Sequence, residues 1–291
     1  MAYSTGQAAN YAALKTALIN ACTGDGWTLT GDVLSKGTMF FKCTVEANNV
    51  GDGLCVLGQQ TATTGLGPNR VQISWIDYYT DIPWPVTYHA FTFTNEVYFV
   101  ISYGDEYQWL TFGQSQQPGL TGSGNYYSGS LAADITSRGY TVGVYGIVYL
   151  YGCPAPFVGA YGSYEWARNG YLDSGIDGED WYLGQGLTGR GRSMGYNVRL
   201  LQTQPNNYNM ESVLLPVKVF KTRSDSLYSQ TFQAENSRYL RNDNYSDETI
   251  VTIGLDQWMT FPFYKRNTSA RNGGTVGDSG TFGWAIKYEG P

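Results

Sequence analysis

Two features of the sequence could support nucleophilic catalysis: the segment Gly277–Gly280, which reads GDSG, and the single histidine, His89. The segment copies the nucleophile loop of trypsin-like proteases, where backbone amides form an oxyanion hole. Only twelve residues follow Ser279, too few for the strands that build a specificity pocket. The same residue types also form tight turns before strands. We therefore predict a turn there, and a strand histidine with hydrogen-bonded ring nitrogens.

Acidic and aromatic residues are mixed between positions 164 and 182. Asp173 to Asp180 has the carboxylate spacing of a calcium loop, but its twelfth position, which should supply a bidentate glutamate, is Gly184. Paired carboxylates such as Glu165 and Glu179 beside Trp181 would also suit a glycosidase cleft. Because a chain with 24 acidic residues and 25 tyrosines offers such neighbourhoods by chance, we predict a solvated loop and no metal site.

Phosphate, nucleic-acid and membrane binding are disfavoured. The segment Gly184–Gly195 lacks the Lys-Ser/Thr ending of a phosphate loop, so we predict a flexible loop. The net charge is −6, whereas nucleic-acid binders usually carry a basic surface. No stretch of about 18 apolar residues and no secretory signal is visible. We expect synthesis in a cytoplasm, no direct nucleic-acid partner, no membrane insertion, no cofactor and no catalytic residue.

The cysteines do not form a metal or redox motif. No two of Cys22, Cys43, Cys55 and Cys153 have C-x-x-C spacing. We predict reduced and mostly buried thiols. A disulfide between Cys43 and Cys55 across adjacent strands stays open, because spacing alone cannot decide it.

One amphipathic helix is predicted near the start of the chain. Ser4 or Thr5 is the predicted N-cap, and Gly24 follows the last turn, where a left-handed residue is favoured. The apolar stripe at helical spacing should pack on the sheet that follows. It consists of Tyr11, Leu14, Leu18 and Cys22.

Strands are predicted over most of the remaining chain. Glycine makes up 37 of 291 residues, and these glycines separate short apolar or alternating runs. Residues 91–103 predict two strands around a turn at Asn95–Glu96. The last strand is the clearest, because every second residue of 282–288 is a large apolar one. The other predicted strands are 27–30, 39–45, 54–57, 71–76, 142–150, 213–221, 229–234, 248–254 and 258–264.

The predicted fold class is β-dominated α+β, with an N-terminal helix on an antiparallel sheet followed by a second β-rich, sandwich-like region. Residues 113–130 are the poorest in apolar side chains and are the predicted boundary, either a linker or a long surface loop. The predicted domains are therefore 1–112 and 131–291. No internal repeat is visible, which disfavours propellers and solenoids.

Aromatic side chains are the candidate interaction residues. Tyrosine and tryptophan bury large areas, keep a polar group and are enriched at protein–protein contacts. Cross-strand aromatic pairs within a core are the alternative, and the sequence leaves both open. The candidates are Trp75, Tyr78, Tyr79, Trp84, Tyr126, Tyr127, Trp181 and Tyr182.

The order of several segments resembles a widespread family of virion proteins in tailed bacteriophages and prophages. The similarity extends in register over nearly the whole chain, although each motif is short. One departure is Gln233–Tyr239, which stands where the family usually has an acidic-Gly-aromatic turn and which we interpret as a diverged surface. The segments that carry the resemblance are 1–18, 25–28, 88–113, 153–159, 248–254, the strand at Trp258, Arg271 and 282–287.

This resemblance implies a structural component of the tail tip, baseplate or fibre-attachment region, present in several copies and without an active site. We therefore expect assembly with copies of itself and with other virion tail proteins, as a ring or a trimer, and location in the virion tail. The alternative is a glycan-binding or glycan-cleaving receptor-recognition module, whose partner would be a host surface glycan. The long parallel β-helix repeats typical of tail spikes are not seen.

Overall fold

A computed structural model describes residues 1–48, 51–76, 80–134, 141–142, 155–157, 170–178, 180–183, 213–222, 228–242, 245–263, 265 and 282–290. Nearly all regular structure in these ranges is antiparallel strand, which confirms the predicted β-dominated α+β class. The helix α1 spans Tyr11–Gly24. The strands are β1 Ala2–Ala8, β2 Thr28–Thr30, β3 Val33–Lys36, β4 Met39–Asn48, β5 Gly51–Gln59, β6 Asn69–Ser74, β7 Val86–Thr92, β8 Glu96–Tyr103, β9 Glu106–Gln114, β10 Asn125–Gly129, β11 Leu131–Asp134, β12 Thr141–Val142, β13 Gly170–Leu172, β14 Tyr182–Leu183, β15 Leu215–Thr222, β16 Tyr228–Arg241, β17 Ile250–Ile253, β18 Asp256–Pro262 and β19 Phe282–Tyr288.

The helix begins later than the sequence suggests. Asn10 is the N-cap, and its side chain accepts a hydrogen bond from the backbone N–H of Ala13 at 2.9 Å. The prediction of Ser4 or Thr5 as the cap is wrong, because both residues lie in β1, which pairs with β7. The predicted apolar stripe is confirmed, since all four of its residues are buried. No helix of the described ranges has the length and apolar character needed to cross a membrane.

The strands form three antiparallel sheets. The central sheet has the order β1-β7-β8-β9-β10-β13-β14. The helix-side sheet has the order β12-β11-β6-β5-β4-β3-β2, and together with α1 it shares one apolar core with the central sheet. The C-terminal sheet has the order β15-β16-β19-β18-β17 and shares a second apolar core with the opposite face of the central sheet. The central sheet is therefore covered on both faces.

Strand β8 illustrates why the central strands are almost continuously apolar. Val97, Phe99 and Ile101 point into the core shared with the helix-side sheet. Tyr98 and Val100 point into the core shared with the C-terminal sheet. Successive side chains of a strand alternate between its faces, so a strand buried on both faces needs apolar residues at every position.

The clearest predicted strand behaves as its period indicates. Phe282, Trp284, Ile286 and Tyr288 all face the core shared with the central sheet. The Trp284 ring lies 6.0 Å from the ring of Trp109 on β9. Edge-to-face aromatic pairs of this kind add about 0.5 to 1.5 kcal/mol beyond their buried area.

The predicted boundary at 113–130 does not separate two sheets. Residues 125–129 form β10, a buried inner strand of the central sheet, so the prediction of a loop or linker is wrong there. Strand β11 then pairs with β6 of the helix-side sheet. The strand was missed because Ser128 and Gly129 are not apolar, and Gly129 is small for a packing reason. A Cβ on Gly129 would lie 2.8 Å from Leu110 Cδ2.

The register between β4 and β5 determines whether Cys43 and Cys55 can form a disulfide. Cys43 lies opposite Val56, and Cys55 lies opposite Thr44, so the two thiols are on opposite faces of the helix-side sheet. A disulfide between them is therefore excluded in this fold. Cys22, Cys43 and Cys55 are free and buried, which confirms that part of the prediction, and burial raises the pKa of Cys43 and of Cys55 to about 12. Cys153 lies outside the described residues.

Gly113 tests how closely β9 approaches the turn between β7 and β8. A Cβ at this position would collide with the backbone oxygen of Asn95, which cannot move without breaking the turn. We expect Gly113→Ala to destabilise the fold by about 1 to 3 kcal/mol, measured by urea denaturation. Gly24→Ala is the matched control, because no atom lies within 4 Å of its Cβ position. Equal midpoints for the two variants would contradict this packing.

Candidate functional site

Several residues chosen from the sequence lie outside the described ranges, namely 277–280, 184–195, Glu165 and Glu179. Asp173 is described, and for this residue the prediction of a solvated loop is wrong. It is 1% exposed, and its Oδ2 accepts hydrogen bonds from the Ser123 backbone N–H at 3.1 Å, from the Ser123 hydroxyl at 2.6 Å and from Gln60 Nε2 at 3.2 Å. Asp173 thereby fastens the loop 115–124 to the sheets. Among the described side chains, no group of three His, Cys, Asp or Glu could hold a metal.

The candidate aromatics do not form one surface. Tyr126 and Tyr127 are fully buried, so they are not available to a partner in this fold, contrary to the prediction. They lie on opposite faces of β10: Tyr126 packs on Phe232 with ring centroids 4.6 Å apart, and Tyr127 stacks on Tyr171 at 5.1 Å. Both rings are needed because β10 is an inner strand with cores on both sides.

The other candidates are partly buried or outside the described part of the chain. Trp84 packs edge-on to Tyr11 at 4.8 Å, and Trp181 donates its indole N–H to the Gly65 oxygen at 3.0 Å. Trp75 is partly buried against the same core as these two residues. Tyr78, Tyr79 and the side chain of Tyr182 lie outside the described residues.

The segment Gln233–Tyr239 is not a surface, which corrects its interpretation from the sequence. It lies within β16, and Ala234, Ser237 and Tyr239 are buried. Between the pairs Pro216–Arg238 and Lys218–Gln233 the register shifts, so four residues of β16 bulge from the ladder. The backbone N–H groups in such a bulge lose their usual strand partners.

A buried carboxylate from the central sheet satisfies these groups. Glu96 accepts hydrogen bonds from the backbone N–H of Glu235 and of Asn236, both at 2.9 Å, from Asn236 Nδ2 at 3.0 Å and from the Tyr98 hydroxyl at 2.9 Å. Burial raises the pKa of Glu96, and the four donors oppose that rise. Because both oxygens are occupied by donors of the chain, this carboxylate joins two layers and is not placed for acid–base chemistry.

Removing the charge of Glu96 tests this link. In Glu96→Gln one carboxylate oxygen becomes an NH2 group that faces N–H donors, and we expect a loss of about 1 to 3 kcal/mol in the free energy of unfolding. Glu106→Gln is the matched control: Glu106 pairs with the half-exposed Lys265 at 3.2 Å, so about 1 kcal/mol or less should be lost. Urea denaturation of both variants measures the difference. A Glu96→Gln loss no larger than the control's would contradict the link.

The hairpin of β17 and β18 is attached through an unusual residue. The Glu248 backbone N–H donates to the Thr260 oxygen, and the Thr260 N–H donates to the Thr249 oxygen, both at 2.9 Å. Two residues thus face one, which is a β-bulge, and Glu248 has φ 59° at the position that favours glycine. A non-glycine residue there costs about 1 kcal/mol or more and indicates that its side chain has a role.

The Glu248 side chain belongs to a group that we call the seam cluster: Tyr3, His89, Tyr107 and Glu248. His89 is 5% exposed on β7, and its Nδ1 lies 2.8 Å from the Tyr3 hydroxyl. The prediction of hydrogen-bonded ring nitrogens therefore holds for Nδ1, whereas the buried Nε2 has no hydrogen-bond partner among the described residues. Its Nε2 lies 3.4 Å from Glu248 Oε1, and the Tyr107 hydroxyl donates to the same oxygen at 3.3 Å. The seam cluster therefore ties β1, β7 and β9 of the central sheet to the hairpin.

The composition of the seam cluster resembles a catalytic relay, but its electrostatics do not activate a nucleophile. Burial, together with the neighbouring Tyr288 and Glu248, raises the pKa of Tyr3, and a hydrogen bond with Thr5 opposes this. The Tyr3 hydroxyl therefore stays protonated near neutral pH. A nucleophile would need the opposite shift.

The seam cluster positions an open strand edge, which is the candidate functional site. Within the described part of the chain, β17 pairs only with β18, so its other edge is open. The hairpin edge, defined here as Ile250–Leu255, contains no charged residue, and the neighbouring Thr249 is also uncharged. Ile250 is 42% exposed and Leu255 is fully exposed. The sequence predicted this strand but missed the role of Glu248, because an acidic residue before an apolar run gives no sign of a left-handed backbone.

Comparison with known proteins adds no family to this geometry. Neither the scan against protein-family models nor the search of curated proteins finds a match. The candidate site therefore depends on the contacts of the chain itself.

The pH dependence of stability tests the seam cluster. The neighbouring His89 ring lowers the pKa of Glu248 below its ordinary value of about 4.3, hydrogen bonds from Tyr107 and Ser102 add to this, and partial burial opposes it. A carboxyl with a lowered folded-state pKa stabilises the fold above its unfolded pKa, and this contribution is lost as the pH falls through the folded pKa.

We therefore expect Glu248→Gln to be less stable than the wild type at pH 7, and the gap to close as the pH falls below about 4. Urea midpoints measured across this range provide the test. Glu235→Gln, at an exposed position outside the cluster, is the control and should leave the wild-type pH profile unchanged. A gap for Glu248→Gln that stayed constant with pH would contradict the assignment.

Proposed function

We propose that the chain is a non-enzymatic structural component of a tailed-phage virion, at the tail tip, baseplate or fibre attachment, and that it works by protein–protein assembly. Its partners are copies of itself and other virion tail proteins. It is made in the host cytoplasm and resides in the tail. The resemblance of segment order supports the family, and the hairpin edge is the single structural observation that carries assembly.

The hairpin edge supports assembly because folded proteins usually protect exposed strand edges. Typical protection is a lysine, a proline, a bulge or a covering loop. From Thr249 to Leu255 this chain has no charge and no proline, and the bulge at Glu248 lies before the strand instead of within it. Leu255 at the tip is fully exposed. An apolar edge of this kind is suited to contact with another chain.

The layered core supports a rigid scaffold for that contact. The central sheet is packed on both sides, and Glu96 and the seam cluster join it to the C-terminal sheet. A rigid base lowers the entropy lost on association, because few groups must be ordered when the partner binds. The edge is therefore presented in a fixed direction.

The glycan-binding or glycan-cleaving alternative gains no support from the candidate aromatics in the described part of the chain, and its candidate carboxylates Glu165 and Glu179 lie outside that part. A sugar platform needs exposed aromatic faces, but Tyr126 and Tyr127 are fully buried. Trp181 packs against Tyr127 with centroids 5.3 Å apart. We therefore favour assembly over glycan contact.

Mass spectrometry of purified particles, from a genome that encodes this chain, tests the proposal. We expect the chain at a fixed copy number per particle, and its absence from the particles would overturn the proposed function. In a second arm, Leu255→Lys should lower incorporation by about tenfold or more, the effect of losing roughly 1.4 kcal/mol of contact energy.

Leu66→Lys is the matched control for the second arm, since Leu66 is 50% exposed and lies in the β5–β6 loop. It should be incorporated like the wild type. Equal incorporation of the two variants would show that the hairpin edge is not the assembly surface. Circular dichroism and thermal melting of each purified variant confirm that folding is unchanged.

A further inference from the structure

The hairpin edge offers hydrogen-bonding groups in a defined pattern. Ile253 and Asp256 flank the two-residue turn Gly254–Leu255, and Val251 lies opposite Trp258. Pairs in an antiparallel ladder alternate between hydrogen-bonded and non-hydrogen-bonded, and the pair that closes a two-residue turn is bonded. The intervening residues, Ile250 and Thr252, therefore direct their N–H and C=O groups away from β18. These are the groups that another strand would meet.

We propose that the occupant of the hairpin edge is the same edge of a second copy of this chain, paired antiparallel with Val251 opposite Val251 of that copy. In this register Ile250 lies opposite Thr252 of the other copy, and Thr252 opposite its Ile250. The outward groups thus meet each other on both sides of the two-fold axis. The proposal rests on the proposed function in assembly and names one of its contacts.

The face pattern of the strand is compatible with this register. A two-fold axis perpendicular to the joined sheet keeps each side chain on the same face of the sheet in both copies. Residues that pair across the axis must therefore point to the same face, so the axis passes between one residue and the same residue of the other copy. Val251 and Ile253 are partly buried on the face that carries Trp258, and Ile250 and Thr252 are exposed on the other face. Pairing Val251 with itself keeps both patterns continuous across the two copies.

Charge also favours a second copy at this position. The chain has a net charge of −6, so copies repel each other unless they meet where charge is absent or paired. Thr249–Leu255 has no charged side chain, and the adjacent Asp256 is paired with Lys287 at 3.0 Å. The other open edges of the described strands fit less well: β1 is largely polar, β15 contains Pro216, Lys218 and Lys221, and β2, β12 and β14 have two or three residues each. A two-fold contact would join rings or trimers face to face.

Cysteine cross-linking in the full chain tests the register. In the proposed pair, Val251→Cys has a Cα–Cα distance of about 4.5 Å, which a disulfide can bridge. Thr252→Cys is the control, because its two copies would lie about 8 Å apart, beyond disulfide reach. Thr252 is more exposed than Val251, so random collision would favour the control over the proposed pair. The wild type reports any background from the native cysteines.

We expect mild oxidation to give covalent dimers of Val251→Cys at least tenfold more than of Thr252→Cys on non-reducing gels. A second measurement covers the case in which Val251→Cys does not fold. An equimolar mixture of Ile250→Cys and Thr252→Cys, both exposed positions, should cross-link, whereas each variant alone should not.

Equal cross-linking of the single variants, or no cross-link in the mixture, would overturn the self-pairing. Particle mass spectrometry separates this result from the proposed function. A chain present in particles without the cross-link leaves the function standing and removes the pairing. A chain that cross-links but is absent from particles supports the pairing and overturns the proposed function.

Discussion

Burial of the central sheet on both faces is the constraint on which the rest of this structure depends. Strands β8, β9 and β10 have an apolar core on each side, so aromatic or aliphatic side chains point from both faces of each strand. This explains why the described strands are rich in tyrosine and tryptophan. Most of the aromatics that the structure describes fill two cores, and the partner contact that we propose lies at the C-terminal hairpin instead.

Two glutamates fix the positions of the stacked sheets relative to each other. Layers that pack through apolar faces can slide, whereas a carboxylate with several fixed donors has one position. Glu96 binds the bulge of β16, and Glu248 binds His89 and Tyr107. Both join the central sheet to the C-terminal sheet, one near each end of β8 and β9. Together they set the direction in which the hairpin edge faces.

The sequence predicts those elements whose pattern is local. The stripe on α1 and the alternation from Phe282 to Tyr288 need only neighbouring residues, and both predictions are correct. Strand β10 was predicted as a loop. Its Gly129 is a glycine because a side chain there would collide with Leu110 and Val71, and this reason cannot be read from the neighbouring residues in the sequence. The contacts of Glu96 and Glu248 join residues about 140 or more positions apart. Such residues look like ordinary surface acids until the register of three sheets is known.

Burial of the aromatic clusters also favours a strand edge as the place of the proposed contact with another chain. The faces of the sheets pack against neighbouring layers of the same chain. The strand edges, with their free hydrogen-bonding groups, therefore remain available for contact with another chain. Exposed charges more than about 8 to 10 Å apart are largely screened at physiological salt, so repulsion between two acidic copies depends on the charges nearest the contact. At the hairpin edge those charges are Asp256, which is paired with Lys287, and Asp247 and Glu248 before the strand, of which Glu248 is directed toward His89 in the seam cluster. The carboxylate that anchors the hairpin is thereby directed toward the central sheet and is partly buried there, and one residue serves both requirements.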